Sequence, residues 1–310
     1  MGSSRVLVTG GAGFIGSHLV DRLMKEGYDV VVLDNFFSGK MENLQEHLNS
    51  KRFHLGNGDV RSVKDLRKAI KDAAIVFHLA AIVDVPFSIK NPILTNDVNV
   101  KGTLTALEAS LTENIEHFIY ISTCAVYGEA RYLPINEEHP TMPLSPYGVS
   151  KLSAENYCKV YNQIYGVKAC CLRLFNVYGP RQSAGPYSGV IKQFVKRLKE
   201  SKPPVIYGDG EQTRDFIHVN DVVDACMLLM EKVCCEGETF NIGTGKPTTI
   251  SELANILIEL SGKAGLKPVY KTQRKGDIRN SYADINKARR NLNFEPKIDL
   301  ENGMKAYFNN

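Results

Sequence analysis

An apolar run from Val6 to Thr9 passes into the glycine-rich turn Gly10-Gly11-Ala12-Gly13, then into the amphipathic stretch from Phe14 to Leu23. A second apolar run, Val30 to Leu33, ends in Asp34. Strand, glycine turn, helix and second strand make a βαβ unit. Such a unit commits a chain to a parallel sheet, because the helix carries it back to the end of the sheet where the first strand began. The glycine spacing is that of a dinucleotide-binding fingerprint. Gly10 or Gly11 lets the strand turn tightly. Gly13 has no Cβ, so a pyrophosphate can approach the backbone, and Gly16 lets the helix pack close to the sheet. The helix N-terminus offers free N–H groups and a partial positive charge to phosphates. Asp34 falls about twenty residues on, where a carboxylate accepts hydrogen bonds from ribose hydroxyls. No Arg or Lys occurs in the three residues after it. A 2′-phosphate would therefore meet uncompensated negative charge, and the expected dinucleotide is NAD rather than NADP.

The alternation continues beyond this unit. Strands are expected at Phe53–Gly56, Ile75–His78, Phe118–Ser122 and Ala169–Phe175, with helices over about Pro92–Glu113 and Pro146–Tyr165. The expected fold class is α/β, a Rossmann-type doubly wound parallel sheet. Ligands in such sheets sit beyond the carboxyl ends of the strands, where Gly10, Asp34, Asp59, Ala80, Thr123 and Asn176 fall. After Phe175 the character changes. Residues 176–189 are rich in Gly, Pro and polar residues. Helices near Val190–Glu200, Val219–Val233 and Ile250–Ser261 then alternate with short strands such as Val205–Tyr207 and Thr239–Asn241. We expect an NAD-binding domain over 1–175 and a smaller substrate-binding lobe over 176–310, interleaved with the last elements of the sheet.

Composition excludes several partners. A formal net charge of +4 over 310 residues is small and dispersed, so nucleic acid is not expected. The basic cluster from Lys192 to Lys202 reads as a solvated helix face. No window is long and apolar enough for a transmembrane helix. With the first strand beginning at Val6, a signal peptide is not expected either. The seven cysteines, including the vicinal pairs Cys170-Cys171 and Cys234-Cys235, have no metal spacing and read as thiols of a reducing cytoplasm. His78 reads as a packed core residue, and no metal site is expected.

Tyr147 and Lys151 form Y-x-x-x-K on a predicted helix, and an i, i+4 pair shares one face. An ammonium close to a tyrosine stabilises its phenolate and lowers its pKa from about 10, which makes a general base. Thr123, at a strand end in ISTCAVYG, supplies a hydroxyl that can bond a substrate oxygen and share its proton with the tyrosine.

With these residues assembled, the chain resembles the extended short-chain dehydrogenase/reductase family. Within it, the chain is similar to the nucleotide-sugar 4-epimerases of the UDP-galactose 4-epimerase type. The resemblance rests on GGAGFIG, LDN at Asp34, GDV at Asp59, FHLAA, the NV at Asn99, STCAVYG, SPYGVSK, LRLFNVYGPR, YGDGEQTRDFIHVND and KGD before SYAD. It implies that Gly13, Phe14 and Ile15 hold the pyrophosphate, Asp34 the adenosine ribose, and Asp59 and Val60 the adenine. Ala80 and Asn99 would line the cofactor cleft, with Gly10, Gly16, Asn35, Leu79 and Ala81 beside them. Thr123, Tyr147 and Lys151 would be the catalytic triad, Lys151 also bonding the nicotinamide ribose. Asn176 would bind the sugar nucleotide, Val205 and Tyr207 would flank the uracil, and Arg214 and Arg274 would clamp the diphosphate. Arg suits that task independently, since its planar fork pairs bidentately with phosphate. Val85, Val190 and Asp277 join the substrate side. The family's dimers pair the two long helices into a four-helix bundle.

The resemblance also discriminates within the family. Nucleotide-sugar 4,6-dehydratases carry Asp-Glu directly after the triad Thr, to eliminate water across C5 and C6, and decarboxylases use an acid there. Here those positions hold Cys124 and Ala125. A UDP-hexose 4-epimerase is the leading expectation. Rivals are another NAD-dependent nucleotide-sugar epimerase or dehydrogenase, such as a UDP-glucuronate 4-epimerase, and a non-catalytic dinucleotide sensor. In the family, the second residue before the Ala-Asp at Asp284 walls off the sugar's C2 substituent, with Tyr in members restricted to plain hexoses. That position is Ser281, which leaves room for an N-acetyl group.

Overall fold

Seven parallel strands carry the candidate site on their carboxyl ends. The computed structural model describes residues 4–182, 189–231, 236–273 and 277–308. The first half runs β1 (Arg5–Thr9), α1 (Phe14–Lys25), β2 (Asp29–Asp34), β3 (Phe53–Asn57), α2 (Val63–Ile70), β4 (Ile75–His78), α3 (Val85–Lys90), α4 (Pro92–Asn96), α5 (Gly102–Thr112), β5 (His117–Thr123), α6 (Pro146–Tyr165) and β6 (Ala169–Leu174). The second half runs β7 (Asn176–Tyr178), α7 (Val190–Lys199), β8 (Val205–Tyr207), β9 (Thr213–Arg214), β10 (Phe216–His218), α8 (Val219–Met230), β11 (Thr239–Ile242), β12 (Thr248–Thr249), α9 (Ile250–Leu260), β13 (Val269–Lys271), β14 (Asn280–Ser281), α10 (Asn286–Leu292) and α11 (Leu300–Lys305).

The sheet order is β3-β2-β1-β4-β5-β6-β11, every pairing parallel. Side chains alternate across it, as a pleated strand requires. Val6, Val8, Val30 and Val32 face one core layer with Leu19 and Leu23 of α1 and Val222 and Cys226 of α8. Leu7, Val31 and Val76 face the other, with Leu66 of α2, Leu107 of α5 and Ala154 and Cys158 of α6. The near-continuous apolar runs of these strands follow from burial on both faces.

Local chemistry sets the ends of α6, which bears Tyr147 and Lys151. Ser145 Oγ accepts from Gly148 N at 3.1 Å, Pro146 occupies the first turn, and Gly166 closes the helix in the left-handed region. The single helix expected over Pro92–Glu113 is three pieces. Between α4 and α5, Asp97–Lys101 forms a π-helical turn, the kind of insertion that re-aims a side chain. The Lys192–Lys202 cluster decorates an amphipathic helix, α7, whose other face buries Ile191, Phe194, Val195 and Leu198.

Beyond β6 the strands are short. β7 pairs with β10, β8 with β13, and β9 lies between β12 and β14. α7, α9 and α11 close over them around Phe194, Leu253, Leu257 and Met304. The chain then returns to the main sheet through β11, which pairs with β6. Val233, the expected end of α8, and the pair Cys234-Cys235 lie outside the described residues.

Candidate active site

The turn after β1 depends on two glycines. Gly10 is left-handed at φ +72°, and a Cβ on it would lie 2.8 Å from the backbone N of Ala80. A Cβ on Gly16 would lie 2.3 Å from the carbonyl oxygen of Gly10, so the start of α1 packs against the backbone of the turn itself. Gly13 caps α1 with no side chain to occupy the first-turn N–H groups, which leaves them for an anion. Asp34, at the end of β2, is buried. Its carboxylate accepts from Ala12 N at 2.9 Å and from Phe36 N at 2.8 Å, which ties the glycine turn to the next strand. Burial raises its pKa and those two hydrogen bonds oppose the rise.

A hydrogen-bond chain fixes the opposite wall. Ala80 N donates to Thr9 Oγ1, which pairs with His78 Nδ1 at 2.9 Å. His78 Nε2 meets Thr103 Oγ1 at 3.1 Å, and Thr103 donates to the Asn99 carbonyl. Because the Thr103 proton is committed, Nε2 carries the ring proton and Nδ1 accepts from Thr9. Burial and the nearby Lys151 charge push His78 down to about 3, so the ring is neutral. Asn99, aimed by the π-helical turn, accepts from Ile82 N at 2.7 Å and donates to Ile82 O and Ser150 Oγ, both at 2.9 Å. The structure therefore puts Asn99 behind the cleft wall rather than on it. Asp59 also stands back from the cleft. It is bound by Arg61 Nε at 2.9 Å and Nη2 at 2.8 Å and by Asn35 Nδ2 at 3.0 Å, and the guanidinium holds its pKa well down. Arg61 reaches the cleft in its place, and it also bridges to Asp97 at 3.0 Å.

Thr123 ends β5. Its Oγ1 accepts from Ala125 N at 3.2 Å, starting the short 3-10 turn Cys124–Val126. Tyr147 begins α6, with its backbone N donating to Ser88 Oγ at 3.2 Å and its carbonyl accepting from Ser150 Oγ at 2.8 Å. Its side chain is half-buried at the cavity wall, where loss of solvation pushes its pKa up to about 12, while a hydrogen bond with Thr123 draws it back down. The Lys151 ammonium lies over the ring of Tyr120, 4.1 Å from its centroid. Burial pushes Lys151 down to about 8, with the Glu155 charge one turn away opposing.

The turn, the ends of β2 and β5 and the start of α6 meet at one cavity of about 440 Å³. It is walled by Gly10, Gly13, Phe14, Ile15 and Gly16, then Asp34 and Asn35, Val60, and Leu79, Ala80 and Ala81. Thr123, Tyr147 and Lys151 close its far end. A bare helix N-terminus, a buried carboxylate at the end of β2 and a proton-transfer pair at the other end fit a dinucleotide laid along the strand ends. Phe37, Phe175 and Val177 line it too and were not singled out in the sequence. Single apolar residues of this kind carry no local signature.

Among the described residues, the other side chains expected on the substrate side, Val85, Asn176, Val190, Val205, Tyr207, Arg214, Asp277 and Ser281, do not line this cavity. Arg214 on β9 and Ser281 on β14 are register partners. Arg214 pairs with Asp277 at 2.7 Å, and a hydrogen bond links Ser281 to Cys124, the residue after Thr123. Buried Asp215 secures this corner, accepting from Thr244 N, Gly245 N and Ala283 N at 2.7, 2.9 and 3.1 Å. Asn176 lies beside it, its N donating to the Asp215 carbonyl at 2.9 Å. Val205 and Tyr207 lie on β8, Val190 starts α7 and Val85 starts α3. Arg274 lies outside the described residues.

The model of the NAD dependent epimerase/dehydratase family matches residues 6–243. The structure is similar to that of a UDP-glucose 4-epimerase with UDP-glucose from Thermotoga maritima. The two share 41% identity over 98% of this chain and 97% of that one, with a TM-score of 0.92. It is similar also to a UDP-N-acetylglucosamine 4-epimerase from Methanobrevibacter ruminantium in complex with UDP-N-acetylmuramic acid, at 38% identity, 99% and 98% coverage and a TM-score of 0.94. A UDP-glucose 4-epimerase of Mycolicibacterium smegmatis is 37% identical over 303 residues, 97% of this chain and 96% of that one.

Proposed function

The chain belongs to the NAD-dependent epimerase/dehydratase family, and from that premise we propose that it inverts C4 of a UDP-hexose with NAD as its bound cofactor. One observation carries the reading: Thr123, Tyr147 and Lys151 close the same cavity that the glycine turn and Asp34 open. The absence of an acid at Cys124-Ala125 supports an epimerase over a dehydratase or decarboxylase, because neither side chain can eliminate water or assist decarboxylation there.

The protein's tasks follow from its geometry. The α1 N-terminus holds the pyrophosphate and Asp34 the adenosine ribose, while Val60 and Arg61 border the adenine. NAD, when bound, supplies a reversible hydride acceptor for sugar C4. Tyr147 Oη takes the proton of the sugar 4-hydroxyl, with Thr123 Oγ1 bonding the same oxygen and sharing the proton. Lys151 places positive charge at this end of the cavity, which favours the phenolate that a desolvated tyrosine otherwise resists. Arg214, with Arg274, grips the diphosphate as a tether. The 4-keto sugar turns about that tether and presents its other face, and Tyr147 returns the proton. The cycle is redox-neutral, so the protein has no need to release its cofactor.

Residues 176–310 serve as the sugar-nucleotide lobe. Asn176, Val205, Tyr207, Val190, Asp277 and Val85 border the substrate, and Ser281 sets the room at C2, so that N-acetylated UDP-hexosamines enter beside UDP-glucose and UDP-galactose. The working form is a homodimer. α4 and α6 leave Ile93, Val149, Val160 and Ile164 exposed, a pattern suited to a four-helix bundle with a second copy. The described cysteines are free thiols, which supports a reducing, cytoplasmic setting.

Two measurements test the reading. NAD(H) is expected in the supernatant of the denatured, purified protein, and NMR of the anomeric protons is expected to show UDP-galactose forming from UDP-glucose. Tyr147→Phe should cut kcat by about a hundred- to ten-thousand-fold with an unchanged melting curve. A variant within a few-fold of the parent would remove Tyr147 from the chemistry. Strict dependence on added NAD would point to a net dehydrogenase.

A further inference from the structure

Lys151 is buried at 3% exposure. Among the described residues, no carbonyl, carboxylate or hydroxyl accepts a hydrogen bond from its ammonium. What the ammonium touches is the face of Tyr120 on β5, 4.1 Å from the ring centroid. We propose that Tyr120 is a positioning residue, its ring face forming the seat that holds the Lys151 ammonium at the cavity from behind.

The ring is held rigidly enough to serve. Tyr120 is 1% exposed. It lies opposite His78 in the β4–β5 register and stacks on that imidazole, with centroids 6.0 Å apart and planes at 23°. His78 is itself bonded at both ring nitrogens, so the support behind the ring is fixed. The Tyr120 hydroxyl is buried without a hydrogen-bond partner. A buried, unpartnered hydroxyl is a cost, so the site uses the ring and not the oxygen.

Electrostatics favour the same assignment. Groups facing Lys151 come from four elements: Glu155, Cys158 and Tyr147 on α6, Cys171 on β6, Tyr120 on β5 and His78 on β4. His78 is neutral and adds no like charge. Glu155 is the one carboxylate among them, and Arg173 already grips it, with Nη2 at 2.7 Å and Nε at 3.1 Å. Arg173 thus offsets much of the attraction Glu155 exerts on Lys151. A ring quadrupole attracts a cation most strongly in a water-poor site, and the ammonium stands 4.1 Å from the centroid of this one.

The role of the seat in turnover rests on the epimerase reading, whereas the seat itself can be measured without substrate. With ¹³C-labelled lysine, and Lys151→Met to assign the resonance, the titration midpoint of Lys151 is expected to fall by about one pH unit in Tyr120→Leu. Tyr120→Phe, which keeps the ring face and deletes only the unpartnered hydroxyl, is expected to rescue the midpoint. In turnover, weaker support for the ammonium means that it loses its proton at lower pH. The basic limb of kcat is then expected to move down with the midpoint, with KM for the UDP-sugar within about twofold. Should Tyr120→Leu melt early, Tyr120→Met fills the same volume without a π face. A folded Leu or Met variant with the parent's midpoint overturns the proposal, as does a Phe variant as impaired as Leu. A shifted midpoint in a protein that turns over no UDP-sugar upholds the seat and overturns the epimerase reading instead.

Discussion

The two sides of the cleft are assembled in opposite ways. The cofactor side is built around one continuous stretch: β1, the glycine turn, α1 and β2 occupy Arg5–Asp34, and the bond from Ala12 N to the Asp34 carboxylate closes it on itself. The sugar side is gathered from afar. Cys124 follows β5, Arg214 sits on a two-residue strand, and Asp277 and Ser281 arrive more than sixty residues later. The first is a rigid element repeated wherever a dinucleotide must be held, since backbone geometry does the holding. The second depends on side chains from separate short segments, each of which can change without disturbing the sheet. The two sides should therefore fail separately.

The largest effect is expected on the cofactor side. Gly16→Ala adds a Cβ 2.3 Å from the Gly10 carbonyl oxygen, and backbone on both sides must move. Overpacking of this kind typically costs about 1–3 kcal/mol, and it deforms the surface that meets the pyrophosphate. The purified variant should carry no NAD(H), melt lower than the parent, and still bind UDP in a calorimetric titration. Stoichiometric NAD(H) in Gly16→Ala would mean that the turn tolerates what the geometry forbids.

On the sugar side, Arg214→Met should leave NAD(H) content untouched. It leaves Asp277 without its partner, but that carboxylate is partly exposed and can be solvated. A charge-assisted hydrogen bond contributes about 1.5–3 kcal/mol, so KM for the UDP-sugar should rise roughly 10- to 100-fold. Loss of NAD(H) together with sugar affinity would show that the two sides are mechanically coupled.

The same contrast explains what could be read from the sequence. β4, α6 and β8 begin and end where the residue pattern puts them, because caps, turns and apolar runs are local signals. The β9–β14 pairing had no such signal, since two residues show no periodicity. Arg61 was missed because one of its partners, Asp97, is 36 positions away. The resemblance implied Asn99 on the cleft wall, and the π-helical turn that aims it at Ile82 instead has no signal in the helical pattern. The seat of Lys151 has no local signal either. Spacing of four along α6 pairs it with Tyr147, whereas the group it rests on comes from the neighbouring strand β5.

The smallest expected effect is the most selective. Ser281 is buried, its register partner is Arg214, and its hydroxyl is engaged with Cys124, next to the triad threonine. The Ala283 N–H bonded to Asp215 anchors the segment, so a larger side chain at 281 cannot be relieved by moving the strand. It must instead displace whatever lies against it. In Ser281→Tyr the ring would take the space an N-acetyl group needs at C2, while a plain hydroxyl there still fits. Steric overpacking of about 1–3 kcal/mol corresponds to roughly a five- to hundred-fold fall in kcat/KM for the N-acetylated UDP-hexosamines. The plain UDP-hexoses should stay within about threefold, and NAD(H) content should be unchanged. Competition between the two substrate pairs in one reaction, followed by NMR, reads the ratio directly. Equal losses for both pairs would mean that Ser281 supports the corner without sizing it. An unmodified enzyme inactive on the acetylated pair would place the limiting wall on another residue, and Cys124, its hydrogen-bonded neighbour, would be the next to vary.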